Sequence, residues 1–204
     1  MVSIIIVNYN SSSLTCHALE SLAANGLNNE IIVVDNSESS LEESKLRSCM
    51  PENTKLIVPE KNLGFGKACN LAMNSCEGEY VFLLNPDTYL ASGSLALMVE
   101  ALEGDASIGA VSPFAFWDTE YKFHFPPSQM QSPLWEIYNS IAFRFSFFRD
   151  VFSEYFYKKS IKTIGSQKPV KQKMLSGGHI MVRKSILEEI GGLFDEGFFM
   201  YYED

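Results

Sequence analysis

The stretch VSIIIVNYNSSSLTCHALESLAANGLNNEIIVVDNSES, residues 2–39, decides the architecture. It opens on an unbroken apolar run rich in β-branched residues and turns polar at Asn8, Tyr9 and Asn10. A segment with a Ser/Thr start and a helical apolar period follows, Gly26 stops it, and a second β-branched run begins at Glu30. Runs of this kind read as strands buried on both faces, and a helix between two of them makes a βαβ unit with parallel strands. The second run also ends in polar residues, Asp35 and Asn36. In open parallel sheets the ligand crevice lies outside the carboxyl ends of the strands, so both polar ends are candidate site positions.

The pattern continues along the chain. A short helix is expected over 41–49, a strand over 54–62, a helix over 64–78 with glycines at both ends, and a strand over 79–90 that runs into a turn. A helix over 92–104 and a strand over 107–116 follow. Asn62, Asn85 and Asp87 add to the polar strand ends, so four strands in succession deliver side chains to one edge. Residues 116–133 are proline-broken. An aromatic helix is expected over 134–159, a basic loop over 160–173, a strand around His179–Val182, and a short helix that stops at Gly191. The expected fold is α/β, one domain with a mostly parallel sheet flanked by helices. Residues 1–113 form its nucleotide-binding half, 114–173 an aromatic and basic helical insertion, and 174–204 an acceptor-side segment.

The formal net charge of −9 excludes general nucleic-acid binding. It is unevenly spread. Residues 141–173 hold eight basic residues against Asp150 and Glu154, which makes that stretch +6 and the remainder −15. Aromatics beside lysines and arginines there suit peripheral contact with the inner face of the plasma membrane or a polyprenyl-linked acceptor. A core-covering helix or a homodimer face suits the same residues. No run approaches the roughly 20 apolar residues of a membrane span. The first residues lack the basic n-region and cleavage site of a signal peptide. Cys16, Cys49, Cys69 and Cys76 have no metal-like spacing and are expected to be reduced thiols in a cytoplasmic protein.

Four short motifs carry candidate chemistry. In VVDNSES, Asp35 can accept a hydrogen bond from the N3–H of a uracil or thymine ring, and Tyr9 can stack on the base; an Asx turn would use the same aspartate. In EKNLGFGKACN, Gly64 and Phe65 open a helix whose amides can meet a diphosphate, although helix-entry glycines need no ligand. The full dinucleotide fingerprint is absent, because its sixth position is Cys69. In FLLNPDTYL, Pro86 ends the ladder and sets Asp87 just past the strand. A carboxylate there can hold Mg²⁺ or Mn²⁺ together with substrate phosphates, and a simple Pro-Asp-Thr turn is the alternative. In FDEGFFMYYED, a carboxylate on an aromatic rim can deprotonate a hydroxyl, or can simply begin a helix.

Taken in order, VSIIIVNYNS, EIIVVDNSES, EKNLGFGKACN, YVFLLNPDTYL and SGGHIMVRKSILEEIGGLFDEGFFMYYED resemble the family 2 glycosyltransferases of GT-A fold, and most of all their rhamnosyltransferase-like branch. The resemblance covers 2–113 and 174–204 well, and 114–173 poorly. It implies inverting transfer of a sugar from dTDP-rhamnose or a UDP-sugar to a saccharide or lipid-linked saccharide acceptor in cell-envelope polysaccharide synthesis. It places the base contact on Asp35, with Asn8, Tyr9, Asn10, Asn36, Asn62, Gly64, Phe65 and Asn85 on the donor side. It makes Asp87 the metal and diphosphate residue and Asp204 the catalytic base, with Glu203 second. Gly177, Gly178, His179 and Asp195 fall on the acceptor side, Asp195 as a structural residue. Family members continue past the Glu-Asp pair, so the resemblance also implies a fragment that binds nucleotide and transfers sugar poorly. A non-catalytic nucleotide-sugar binding module and a sugar nucleotidyltransferase are the competing readings.

Overall fold

The computed structural model describes residues 1–26, 29–124 and 169–197. The elements run β1 (Val2–Asn8), α1 (Ser12–Ala23), β2 (Asn29–Asp35), α2 (Ser40–Cys49), β3 (Thr54–Ile57), α3 (Phe65–Met73), β4 (Tyr80–Leu84), α4 (Ser94–Gly104), β5 (Ala110–Val111), β6 (His179–Arg183) and α5 (Lys184–Ile190). They belong to two compact units, one of residues 1–113 with 176–204 and one of residues 114–175.

In the first unit six strands form one sheet in the order β3-β2-β1-β4-β6-β5. β1 pairs in parallel with β2 and β4, and β2 with β3. The order steps outward from β1 to β3 and then resumes at β4 on the other side of β1. That reversal opens a crevice at the carboxyl ends of β1 and β4. β6 is antiparallel to both β4 and β5. The expected mostly parallel sheet flanked by helices is present, with one reversed strand inside it.

Every residue of β1 and of β4 is buried, so alternate side chains feed two cores. On one face Ile4, Ile6, Val33, Phe82, Leu84 and Met181 pack with Leu19 and Leu22 of α1, Leu46 of α2, and Leu95 and Leu102 of α4. On the other, Ile5, Val7, Ile32, Val34, Leu83 and Val182 pack with Ala68, Cys69 and Ala72 of α3 and Leu187 of α5. Small residues on α3 bring that helix close to the sheet.

Three expectations are corrected. β3 stops at Ile57 rather than Asn62, because Pro59 has no N–H for the ladder. Of the strand expected over 107–116, only Ala110 and Val111 join the sheet, ahead of Pro113. The cysteines are not all thiols: Cys16 and Cys49 form a disulfide. Helices α1 and α2 share one sheet face, and their packing sets these two Cα atoms 5.8 Å apart, within the usual range for a bridge. Cys69 and Cys76 are buried thiols, and burial pushes Cys76 up to about 11.

The described part of the second unit holds an antiparallel bridge between Phe116 and His124. Asp118 closes the intervening turn, accepting from the amides of Glu120, Lys122 and Phe123. Phe116 meets Tyr121 edge to face at 5.4 Å. The helix expected over 134–159 and most of the basic loop lie outside the described residues, as do Glu203 and Asp204. Among the described residues no helix is long and apolar enough to cross a membrane.

Candidate functional site

The site begins with the last residues of β1 and β2, which are register partners, Asn8 opposite Asp35. Asn8 is fully buried. Its Nδ2 donates to Asp35 Oδ1 at 2.9 Å and to Ser37 Oγ at 3.0 Å. Its Oδ1 accepts from Thr15 Oγ1 at 2.9 Å and Ser11 Oγ at 3.1 Å. That uses all four amide valences inside the protein, so Asn8 holds Asp35 instead of meeting a ligand. The Ser37 amide also donates to Asp35 Oδ1, at 3.1 Å.

Asp35 is thereby fixed through one oxygen. The other, Oδ2, is buried and has no hydrogen-bond partner among the described residues. A buried carboxylate oxygen without a donor is costly. Its position, at the carboxyl edge of a parallel sheet, is where such sheets receive ligands. Beside it, Tyr9 is half exposed and Asn10 takes a left-handed φ of 51°, its amide donating to Ser37 Oγ. The Asx-turn alternative is realised through Oδ1 alone and leaves Oδ2 over.

Asn36 is buried as well. Its amide donates to Asn8 O, its Nδ2 to Gly64 O, and its Oδ1 accepts from Leu63 N. It therefore pins the entry of α3 to the end of β2. Asn62 Oδ1 accepts from Gly64 N at 2.9 Å, which occupies the glycine amide expected to face a diphosphate. Gly64 keeps a φ of 82°, which favours glycine.

The wall beyond β1 comes from β4 and β6. The Asn85 amide donates to Gly178 O at 2.8 Å, extending the ladder one step past the Leu84–His179 pair. Pro86 then breaks it. A Cβ on Gly178 would lie 2.8 Å from Asn85 Nδ2, so only glycine lets the side chain of Asn85 lie against this backbone. Asp87 is exposed. Burial lowers the pKa of His179, and the nearby Asp87 carboxylate acts in the opposite sense.

The segment after α5 is held by a residue that motif reading passed over. Asn70, on the buried face of α3, accepts from the amides of Leu193 and Phe194 through Oδ1 and donates through Nδ2 to Phe194 O and Glu196 Oε1. Phe65 and Phe194 pack with their rings tilted at 58° and their centroids 5.4 Å apart. Asp195 Oδ1 accepts from Gly197 N, an Asx turn. Motif reading had no signal for Asn70: it lies one turn after Gly66, off the Ala68–Cys69–Ala72 face that packs on the sheet, and only the segment after α5 covers it. Glu42 is a second such residue. Its carboxylate on α2 accepts from the Ser12 amide at the start of α1, and that bond, aided by Lys45, lowers its pKa to about 2.

The structure thus brings Asn8, Tyr9, Asn10, Asp35 and Asn36 together at one edge. Asn85, Asp87, Gly178 and His179 line the adjoining strands. Among the described residues no group of three or more His, Cys, Asp or Glu could hold a metal ion.

Several known proteins are similar to this chain. The N-acetylglucosaminyl-diphospho-decaprenol L-rhamnosyltransferase of Mycobacterium tuberculosis is 28% identical over 163 residues, 74% of this chain and 51% of that protein. The succinoglycan biosynthesis protein ExoO of Rhizobium meliloti is 27% identical over 100 residues, 48% of this chain and 29% of that protein. The chain therefore spans about half the length of the rhamnosyltransferase, and its match to ExoO covers less. Among solved structures, the mannosyltransferase PcManGT of Pyrobaculum calidifontis, in complex with GDP-Man and Mn²⁺, superposes with a TM-score of 0.63 at 20% identity, over 96% of this chain and 47% of that one. Residues 1–349 of S. aureus TarS give 0.58 at 20% identity, over 96% of this chain and 50% of that one. The shared fold is GT-A. The model of Glycosyl transferase family 2 matches residues 3–191, and the chain belongs to that family.

Proposed function

We propose that the chain carries the donor-binding half of an inverting glycosyltransferase in cell-envelope polysaccharide synthesis. The observation that supports this most is the buried, unpartnered Oδ2 of Asp35 beside the exposed ring of Tyr9. A pyrimidine base offers an N3–H to the carboxylate and a π-face to the ring. Uracil and thymine both carry that N3–H, so in this reading the donor is a UDP-sugar or a dTDP-sugar, with dTDP-rhamnose favoured by the relative from M. tuberculosis. The acceptor is a saccharide or a polyprenyl-linked saccharide, and the site operates in the cytoplasm. Peripheral membrane contact or a homodimer through 134–173 is part of the same proposal.

In this reading Asp35 and Tyr9 bind and orient the base, with Asn8 and Ser37 holding Asp35. Asp204 takes the proton from the acceptor hydroxyl, whose oxygen then displaces the nucleoside diphosphate with inversion. A lone exposed carboxylate fits a divalent ion that shares its coordination with substrate phosphates. Asp87 would hold Mg²⁺ or Mn²⁺, which would supply charge neutralisation at the departing diphosphate.

Calorimetric titration of dTDP and UDP, with and without Mn²⁺, tests the base contact. Asp35→Ala is expected to weaken the better ligand by roughly 10- to 100-fold, the effect of one hydrogen bond to a charged group. Equal affinity in the wild type and the variant would remove Asp35 from the site.

A further inference from the structure

We infer that helix α3 couples donor binding to the acceptor-side segment, and that Asn70 is the positioning residue through which it does so. This rests on the donor-site reading above. At its start α3 is tied to the base-binding edge, because Asn36, next to Asp35, bonds both Leu63 N and Gly64 O. At its sixth residue, Asn70 grips the chain after α5. Its four bonds reach Leu193 N at 2.9 Å, Phe194 N at 3.2 Å, Phe194 O at 2.9 Å and Glu196 Oε1 at 3.2 Å. A carboxamide has two acceptor sites and two donor hydrogens, so every valence of this side chain is spent on one short segment more than 120 residues away in sequence.

The surroundings fit that role. α5 ends at Gly191 with a φ of 88°, and the Gly191 and Gly192 amides both close on Leu187 O, a helix stop that turns the chain back toward α3. A Cβ on Gly192 would sit 3.3 Å from Asn70 Oδ1, so the glycine lets backbone and amide approach. Phe65, in the first turn of α3, packs on Phe194. A single helix thus contacts the donor edge at one end and, through Phe65 and Asn70, the Leu193–Phe194 backbone, the Phe194 ring and the Glu196 carboxylate. Glu196 stands seven residues before Glu203 in the chain. Neither Asn70 nor Phe65 needs to touch the sugar. They set the course of the Leu193–Glu196 segment.

Amide hydrogen exchange at Leu193 and Phe194, with and without dTDP, reads the coupling without any turnover. In the wild type dTDP is expected to slow both amides by at least about 3-fold. In Asn70→Ala both should exchange about 10-fold faster, as expected for losing a net hydrogen bond, and dTDP should no longer slow them, while its Kd changes less than about 2-fold. Transfer assays on the same proteins should show kcat lowered about 10-fold with the donor KM nearly constant. Asn70→Asp keeps acceptors for both amides and should fall between the two. If dTDP leaves the wild-type amides unchanged, or if Asn70→Ala keeps wild-type exchange, the inference is overturned. A parallel loss of dTDP affinity in Asn70→Ala would also overturn it, since that is general damage. Should Asn70→Ala fail to fold, Asn70→Asp decides: unchanged kcat and exchange defeat the inference. Absence of transfer by the wild type counts against the transferase reading alone, because the exchange result stands without it.

Discussion

At the scale of single residues, the site separates groups that hold from groups that are held. Asn8 is an amide whose bonds are complete within the protein, Asn36 spends its side chain on the entry of α3, and Asp35 is a carboxylate left half-satisfied by that same network. From sequence all three are polar residues at strand ends. Whether such a residue faces a ligand or braces a neighbour depends on rotamers and partners that a one-dimensional pattern does not carry. Glu42 shows how far the bracing extends. Its pKa is lowered from 4.5 to about 2 by the Ser12 amide and Lys45. The folded state therefore gains from this carboxylate above pH 4.5 and loses the gain as pH falls toward 2. Glu42→Gln is expected to lower Tm at pH 7 by about 3 °C, the size of a weakened charged hydrogen bond in a chain of this length. It should also flatten the fall in Tm between pH 4.5 and 2. Thermal melts across that range check it, and parallel curves for the two proteins would rule it out.

At the scale of elements, the strands and helices of residues 2–104 were legible because most strands are buried on both faces and most helices have a clear stop; α3 is the exception, ending at Met73 where the expected stop was Gly78. Gly26, Gly64 and Gly191 all mark boundaries. Pairing across long separations was not legible. Nothing local in HIMVR says that it enters between β4 and β5 in reverse, since alternation gives burial and not partners. The bridge between α1 and α2 was missed for the same reason: Cys16 and Cys49 are 33 positions apart and meet only once both helices lie on one face. Titrating thiols in denatured protein should find two before reduction and four after. Four before reduction would mean that the helices are joined by packing alone, and would favour the reducing compartment that a cytoplasmic enzyme occupies.

At the scale of the molecule, β1 to β4 follow one another in sequence, but the sheet they form is not closed by that stretch alone. β6 pairs with β4 about 100 residues after it, and Met181 and Val182 fill both cores from that position. A chain stopped at Pro113 keeps β1 through β4 and loses the cover on the β4 edge. It is expected to elute as aggregates in size-exclusion chromatography, where the full chain gives a discrete species. A discrete monomer of 1–113 with native circular dichroism would refute this.

The reversed strand also has a consequence in time. On a ribosome the first four strands emerge and can assemble while β6 is still untranslated. At about 5–20 residues per second, the backbone of Tyr80–Leu84 waits roughly 5–20 s for its partner. For that interval the nascent sheet presents an apolar, unpaired border, the kind that recruits other chains or a chaperone. Residues 114–175 are made during that interval, so their length sets how long the newborn protein must be shielded.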